Sequence, residues 1–431
     1  VNRFHAAALV AALALAVQGC TQSESPAPAT ATTTPAAARP ALPPIVPDGL
    51  FTLDTHVDIP FDFATDAVDP LDANLQVNLE KMRSGGLDAA FFIVYVGQTA
   101  RTPENYAKAQ ADAMTKFKAI HRMTDELYPN LIELAYTPDD VERIAASGKL
   151  VAMIGIENGY VIGKDLDLLD RYYQLGARYM TLVHNGDNDL GHTAQPRPDL
   201  GEDPKGPDTG LTELGAAAVA RMNRLGMMVD VSHASKQTAL DAIRASKAPV
   251  IASHSAARAV TDHPRNMDDE TLRALRDNGG VIQVVAFDPY VKYQPPEEIT
   301  AMRALRERLG LKPPIEIDKL PADQRAAYSS GLAEIQKQWP PANVKDLVDH
   351  IDYVVKLIGI DHVGISSDFG GGGGVVGWSD ASETQNVTRE LRSRGYDDGD
   401  IAKLWGGNLL RVWREVNRAA ATLEADAAAS H

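Results

Sequence analysis

What most constrains this chain is a recurrence. From Leu50 onward, short apolar or β-branched runs alternate with amphipathic helical stretches. The runs predict strands over 51–55, 89–96, 151–156, 179–183, 228–231, 250–253, 281–287 and 363–367. Between them lie helical stretches, roughly 74–84, 212–225, 236–246, 268–278, 344–358 and 381–394. Two more open on Thr102-Pro103-Glu104 and Thr137-Pro138-Asp139, each a threonine cap followed by a first-turn proline, the second closing at Gly148. Eight strands, each followed by helix, point to an α/β protein of the (β/α)8 TIM-barrel type. The 431 residues, 44% of them hydrophobic, suffice for one such core. A ninth candidate, 131–135, does not fit the count and is expected outside the barrel. Residues 295–341 read as a polar, partly helical insertion before the last strand. The Ala-rich tail after Val416 is expected to be a helix that frays.

Active sites of such barrels sit at the C-terminal ends of the strands. Here strand one ends in Thr55-His56-Val57-Asp58, strand three in Glu157-Asn158-Gly159 and strand four in His184-Asn185. Strand five ends in Ser232-His233, strand six in Ser253-His254 and strand eight in Asp368-Phe369-Gly370. Strands two and seven contribute nothing obvious. Four histidines and three carboxylates thus converge on one mouth. Residues i and i+2 of a strand face the same way, so His56 and Asp58 can address one metal ion. Such a donor set suits zinc or a similar divalent ion. Two ions fit if Glu157, on a different strand from His56/Asp58 and from His233/His254, bridges them. A buried polar network without metal would be costly to desolvate.

The N-terminal stretch is of another kind. Arg3 precedes an apolar run from Ala6 to Val17 and then Gln18-Gly19-Cys20. That order reads as a secretory signal over 1–19, too short in its apolar part for a comfortable membrane span. The ending Ala16-Val17-Gln18-Gly19-Cys20 resembles a bacterial lipobox, which implies acylation of Cys20 and anchoring in the cell envelope. Thr21 at the following position favours the outer membrane, on its periplasmic side. Cys20 is the sole cysteine, so no intramolecular disulfide forms and any homodimer is noncovalent. Residues 20–47 are Pro/Ala/Thr-rich and are expected to form a disordered tether, with the folded domain spanning 48–431. The formal charge of −16 argues against a nucleic-acid partner, which needs a basic face.

Taken together, Asp54-Thr55-His56-Val57-Asp58, Gly155-Ile156-Glu157, Leu182-Val183-His184-Asn185, Val229-Asp230-Val231-Ser232-His233, Ala252-Ser253-His254-Ser255, Arg265-Asn266 and Ser367-Asp368-Phe369 resemble, in their order, the membrane (renal) dipeptidases. The resemblance spans about 50–413. It implies a metal-dependent dipeptide hydrolase with two Zn2+ per chain, in which a hydroxide bridging the metals attacks the peptide carbonyl. By the same resemblance His56 and Asp58 hold one zinc, His233 and His254 the other, and Glu157 bridges. It implies that His184 steadies the oxyanion and that Asp368 manages the proton. The resemblance further implies that Arg265, with Asn266 beside it, meets the substrate's terminal carboxylate, a task suited to a planar bidentate donor.

There are departures: Asn158 and Tyr160 stand where the mammalian enzymes carry Gly and His, and the stretch after His184 differs. Dipeptide preference is therefore not carried over. Asp54 and Asp230 are expected to orient ligand imidazoles. Gly370–Gly374 reads as a flexible loop, and His192, His263 and His362 as ordinary surface or supporting residues. Two other readings compete. One is an amidohydrolase-like esterase, lactonase or phosphotriesterase, against which Asp58 and Glu157 argue. The other is a catalytically silent anchored binding protein.

Overall fold

The computed structural model describes residues 49–311 and 320–429. The expected signal, Cys20, the tether and Asp48 lie outside the described residues, as does 312–319 within the insertion. The described residues belong to one compact unit.

Nine strands occur in chain order: β1 (Leu53–Asp58), β2 (Ala89–Tyr95), β3 (Ile132–Leu134), β4 (Leu150–Glu157), β5 (Ala177–Thr181), β6 (Met228–Asp230), β7 (Ile251–Ser255), β8 (Val281–Val285) and β9 (Val363–Ser366). All pair in parallel, in the order β1-β2-β4-β5-β6-β7-β8-β9, and β3 pairs only with β4 from outside that path. The ring closes where Asp58 N–H donates to the Phe369 carbonyl at 2.7 Å, beside a parallel bridge of Val57 to Phe369. This is a (β/α)8 barrel, with 131–135 outside it as expected.

The helices follow their sequence signals closely. The hydroxyls of Thr102 and Thr137 accept from the amides of Asn105 and Asp140, ahead of Pro103 and Pro138. Two boundaries shift. The first helix is Leu79–Gly85, because the Asn78 side chain caps it by accepting from Lys81 N. The stretch 381–394 opens as a 3-10 turn, Ala381–Glu383, before the helix Gln385–Ser393. The insertion supplies the helices Pro296–Arg308 and Ala322–Gln338. The Ala-rich tail belongs to one helix, Asn408–Ala429. Among the described residues, no helix is long and apolar enough to cross a membrane.

Strand parity sorts the side chains. On β2, Ala90, Phe92 and Val94 join the large cluster under the surrounding helices, while Ala89, Phe91 and Ile93 point inward. The inward residues at the strand starts, among them Leu53, Val151, Met228, Ile251 and Val281, pack with Leu409, Val412, Trp413 and Val416 of the last helix. That helix seals the floor of the barrel. The polar strand ends lie at the other rim.

Candidate metal centre

Glu157 ends β4 on the inward parity of Val151 and Met153. β1 keeps no simple alternation, because its register against β2 shifts between Asp54 and Val57. The shift lets Leu53 face the floor and His56 face the mouth on the same strand. His56 Nε2 then lies 3.5 Å from Asp58 Oδ2, 3.6 Å from Glu157 Oε2 and 3.9 Å from Asp368 Oδ1. The other oxygen, Glu157 Oε1, lies 3.1 Å from His233 Nε2, 3.4 Å from His254 Nε2 and 3.6 Å from His184 Nε2. The two oxygens of one carboxylate thus serve two groups of donors. His56/Asp58/Glu157 and Glu157/His233/His254 are each close enough to hold an ion, and a third set, His56/His254/Asp368, overlaps both.

The outer nitrogens fix the tautomers. Tyr179 OH donates to the Thr55 carbonyl at 2.9 Å, so it accepts from His56 Nδ1–H at 3.0 Å. Ser253 Oγ donates to Asp230 Oδ2 at 2.7 Å and accepts from His254 Nδ1–H at 2.8 Å. Asn185 Oδ1 accepts from His233 Nδ1–H at 3.1 Å. With each Nδ1 protonated, each Nε2 presents a lone pair to the centre. His233 Nε2 and His254 Nε2 stand 2.8 Å apart, and two lone pairs at that distance repel unless a cation or proton lies between them. His56 Nε2 is buried without a hydrogen-bond partner. The donor chemistry fits divalent metal.

Electrostatics point the same way. Burial alone would raise Glu157, but the imidazoles of His184 and His56 and the contacts of His233 and His254 hold it well below the usual carboxylate range. Burial likewise opposes the charged form of His56, yet Glu157 and Asp58 keep it well above the usual imidazole value, so that without metal a proton is favoured on Nε2, in the place where a cation would meet the lone pair. Asp368 is pushed well above the carboxylate range by burial and by the nearby Asp58 and Glu157 charges. Its backbone is left-handed, φ 59°, as is that of His233, φ 64°, and Asn158, φ 81°. Such conformations are strained for these residues and gather at this mouth.

The glycine run is a packed turn rather than a flexible loop. Gly371 and Gly373 amides donate to the Asp368 carbonyl, and Gln76 holds the turn by accepting from Gly370 N and donating to Gly373 O. A Cβ on Gly371 would lie 2.5 Å from Asp58 Oδ2 and 2.7 Å from Asp368 Oδ1, in the space those carboxylates share. Asp54 also departs from expectation. Its Oδ1 accepts from the amides of His56 and Ser367, so these hydrogen bonds go to backbone rather than to an imidazole. Asp230 reaches the His254 imidazole through Ser253. His192 pairs with Asp187, and His362 Nδ1 donates to the Gly280 carbonyl. His263 accepts from Arg265 N and lies against Tyr290, in support of the Arg265 loop.

Arg265 is buried. Its guanidinium donates to the His254 carbonyl at 3.2 Å and lies over the Tyr290 ring at 5.2 Å, while Nε has no partner. Among the described residues no carboxylate pairs with it. Asn266 donates to the carbonyls of Thr261 and Tyr290, tying the loop, and its Oδ1 is unpartnered. A cavity of about 500 Å³ opens from His233, Ser255 and Arg265 toward the Pro204–Thr209 region.

Sequence reasoning missed Tyr179 and Tyr95. Tyr179 crosses the barrel to His56 because Gly155 leaves room; a Cβ there would meet the ring at 2.3 Å. Tyr95 ends β2 on the parity of Ala89, Phe91 and Ile93, and its ring lies 4.8 Å from that of His184. That alternation was the available signal.

The membrane dipeptidase (peptidase family M19) model matches residues 46–427. The dipeptidase aclJ of Aspergillus oryzae is 31% identical over 81% of this chain and 72% of its own. The probable dipeptidase PvdM of Pseudomonas aeruginosa is 38% identical in structure-based alignment, with a TM-score of 0.75, covering 86% of this chain and 96% of that one. A metallo peptidase of Rhodobacter sphaeroides, 23% identical with a TM-score of 0.64 over 85% and 99% of the chains, shares the fold.

Proposed function

The chain belongs to the membrane dipeptidase family, peptidase family M19, and on that premise we propose that it hydrolyses dipeptides at a centre of two divalent ions, zinc first among them. The observation that carries this reading is the division of Glu157, Oε2 toward His56 and Asp58, Oε1 toward His233 and His254. Ions held there would polarise the scissile carbonyl and make water a nucleophile at neutral pH.

The remaining work falls to side chains. Asp368 acts from its ionised form: burial raises its affinity for a proton, so the carboxylate takes the proton of the attacking water as the C–O bond forms. It returns that proton to the amine nitrogen as the C–N bond breaks. His184, lowered by burial, presents a neutral imidazole beside the carbonyl and steadies the oxyanion. Arg265, without a carboxylate of its own, binds the substrate's terminal carboxylate and so excludes longer peptides. Asn266 holds the loop that carries it. Lipid anchoring through Cys20 in the cell envelope is proposed alongside, and a Cys20→Ser variant released from the membrane fraction tests it.

The test of function is metal content measured together with hydrolysis of L,L and L,D dipeptides and of tripeptides. Bound zinc with dipeptides cleaved and tripeptides spared is expected. Zinc without dipeptide hydrolysis would overturn the reading in favour of an amidohydrolase-like hydrolase or a silent binding protein.

A further inference from the structure

Lys116 lies on the inward face of the helix Pro103–His121, in line with Ala109, Ala113, Phe117 and Ile120. It is 3% exposed. Among the described residues, no carboxylate pairs with its ammonium and no acceptor hydrogen-bonds it. What faces it instead are two aromatic rings, Phe61 at 5.1 Å and Tyr95 at 5.4 Å from Nζ to centroid. Cation–π contact offsets only part of the cost of burying an unpaired ammonium. Burial lowers Lys116, and the charges of Asp58, Glu157 and Asp112 oppose that shift. Arg197, whose charge acts on Tyr95, is paired with Asp199. Lys116 is thus a buried positive charge without a carboxylate partner among the described residues at this end of the mouth.

The barrel order locates that end. β2 and β7 are four strands apart in a ring of eight and stand opposite one another. Arg265 follows β7 and bonds the His254 carbonyl; Tyr95 ends β2. If a dipeptide is bound as proposed above, on which this inference rests, its carboxylate meets Arg265 and its scissile carbonyl meets the Glu157 cluster. Its N-terminal residue then extends toward Tyr95 and toward Phe61, which is 52% exposed three residues beyond Asp58. We propose that Phe61, Tyr95 and Lys116 form the recess for the N-terminal side chain, and that the buried ammonium makes it select an acidic one.

The test uses the metal-loaded protein with Glu-Ala, Gln-Ala and Lys-Ala, which differ in charge more than in size. In the wild type, kcat/KM for Glu-Ala should exceed that for Lys-Ala by about 10-fold or more, as a charge in a poorly screened site permits. Lys116→Met should bring the two within about 3-fold, and Lys116→Arg should keep the preference. Lys116→Met should fold at least as stably as the wild type, because it removes an unpaired buried charge; Lys116→Gln gives a second neutral variant. A wild type without preference for Glu-Ala, or a preference that survives in both neutral variants, would overturn the assignment while leaving Gln-Ala hydrolysis as support for the dipeptidase reading. Failure to cleave any dipeptide would overturn both.

Discussion

The floor and the mouth of this barrel are built on the same inward parity and spend it differently. At the floor, Val151, Met153 and Phe91 meet Trp413 in a buried apolar cluster. At the mouth, the continuation of those strands carries Glu157 and Tyr95, flanked by His56, His233 and His254, with lone pairs facing one another and left-handed backbone at His233 and Asp368. The floor is arranged for stability. The mouth holds groups that disfavour the folded chain by themselves and become favourable when cations and substrate supply the missing charge. Substitutions at the floor should therefore change stability and leave the chemistry, and substitutions at the mouth should do the reverse.

The largest effect expected is at the floor. Trp413→Ala should lower unfolding free energy by about 3–5 kcal/mol, the usual cost of truncating a buried tryptophan. Chemical denaturation measures it, and kcat/KM per folded molecule should stay within about 2-fold. A matching loss of specific activity would break the division between the two regions.

At the mouth, Arg265→Ala should raise KM for dipeptides by about 100-fold, within the range for truncating a buried group that pairs with a charge. Thermal stability should hold or rise, since the arginine has no carboxylate partner in the protein. Unchanged KM would remove the terminal-carboxylate role. A smaller effect is expected at Ser253→Ala, which cuts the relay from Asp230 to His254: about 10- to 100-fold weaker metal affinity, read by competition with a chelator. Affinity equal to the wild type would mean that the relay does not set the ligand.

The smallest effect concerns the scaffold of the Arg265 loop. His350 accepts from Ala257 N–H and donates to the Val291 carbonyl, a pattern open only to the neutral ring. Burial lowers its pKa from 6.5 to about 4. In that window the unfolded chain binds a proton that the folded chain refuses, so stability present above pH 6.5 is lost as pH falls toward 4. Between pH 7 and pH 5 the loss should be about 2 kcal/mol from this group. His350→Gln should flatten that slope in a pH series of melting curves; an unchanged slope would assign the acid sensitivity elsewhere.

These regions were unequally legible in the sequence. The floor and the strand order follow from period and caps, which are local. His56, Asp58, Glu157, His233 and His254 were legible because a strand end fixes where a polar residue must point. Tyr179 was not, because its reach depends on the space left by Gly155 across the barrel. The register shift in β1 cannot be read from alternation, since it is the place where alternation breaks. The glycines after Asp368 read as loose and are instead pinned by Gln76, a contact 294 residues away in sequence. Nothing in the sequence singles out Lys116; only packing shows that it lies on the buried stripe.

As proposed, one carboxylate, Glu157, joins two metal sites. Calorimetric titration of metal-stripped protein with Zn2+ tests it without reference to activity. Two equivalents bound by the wild type are expected, with loss of high-affinity binding at both sites in Glu157→Gln. A single equivalent in the wild type, or two that survive Glu157→Gln, would contradict it.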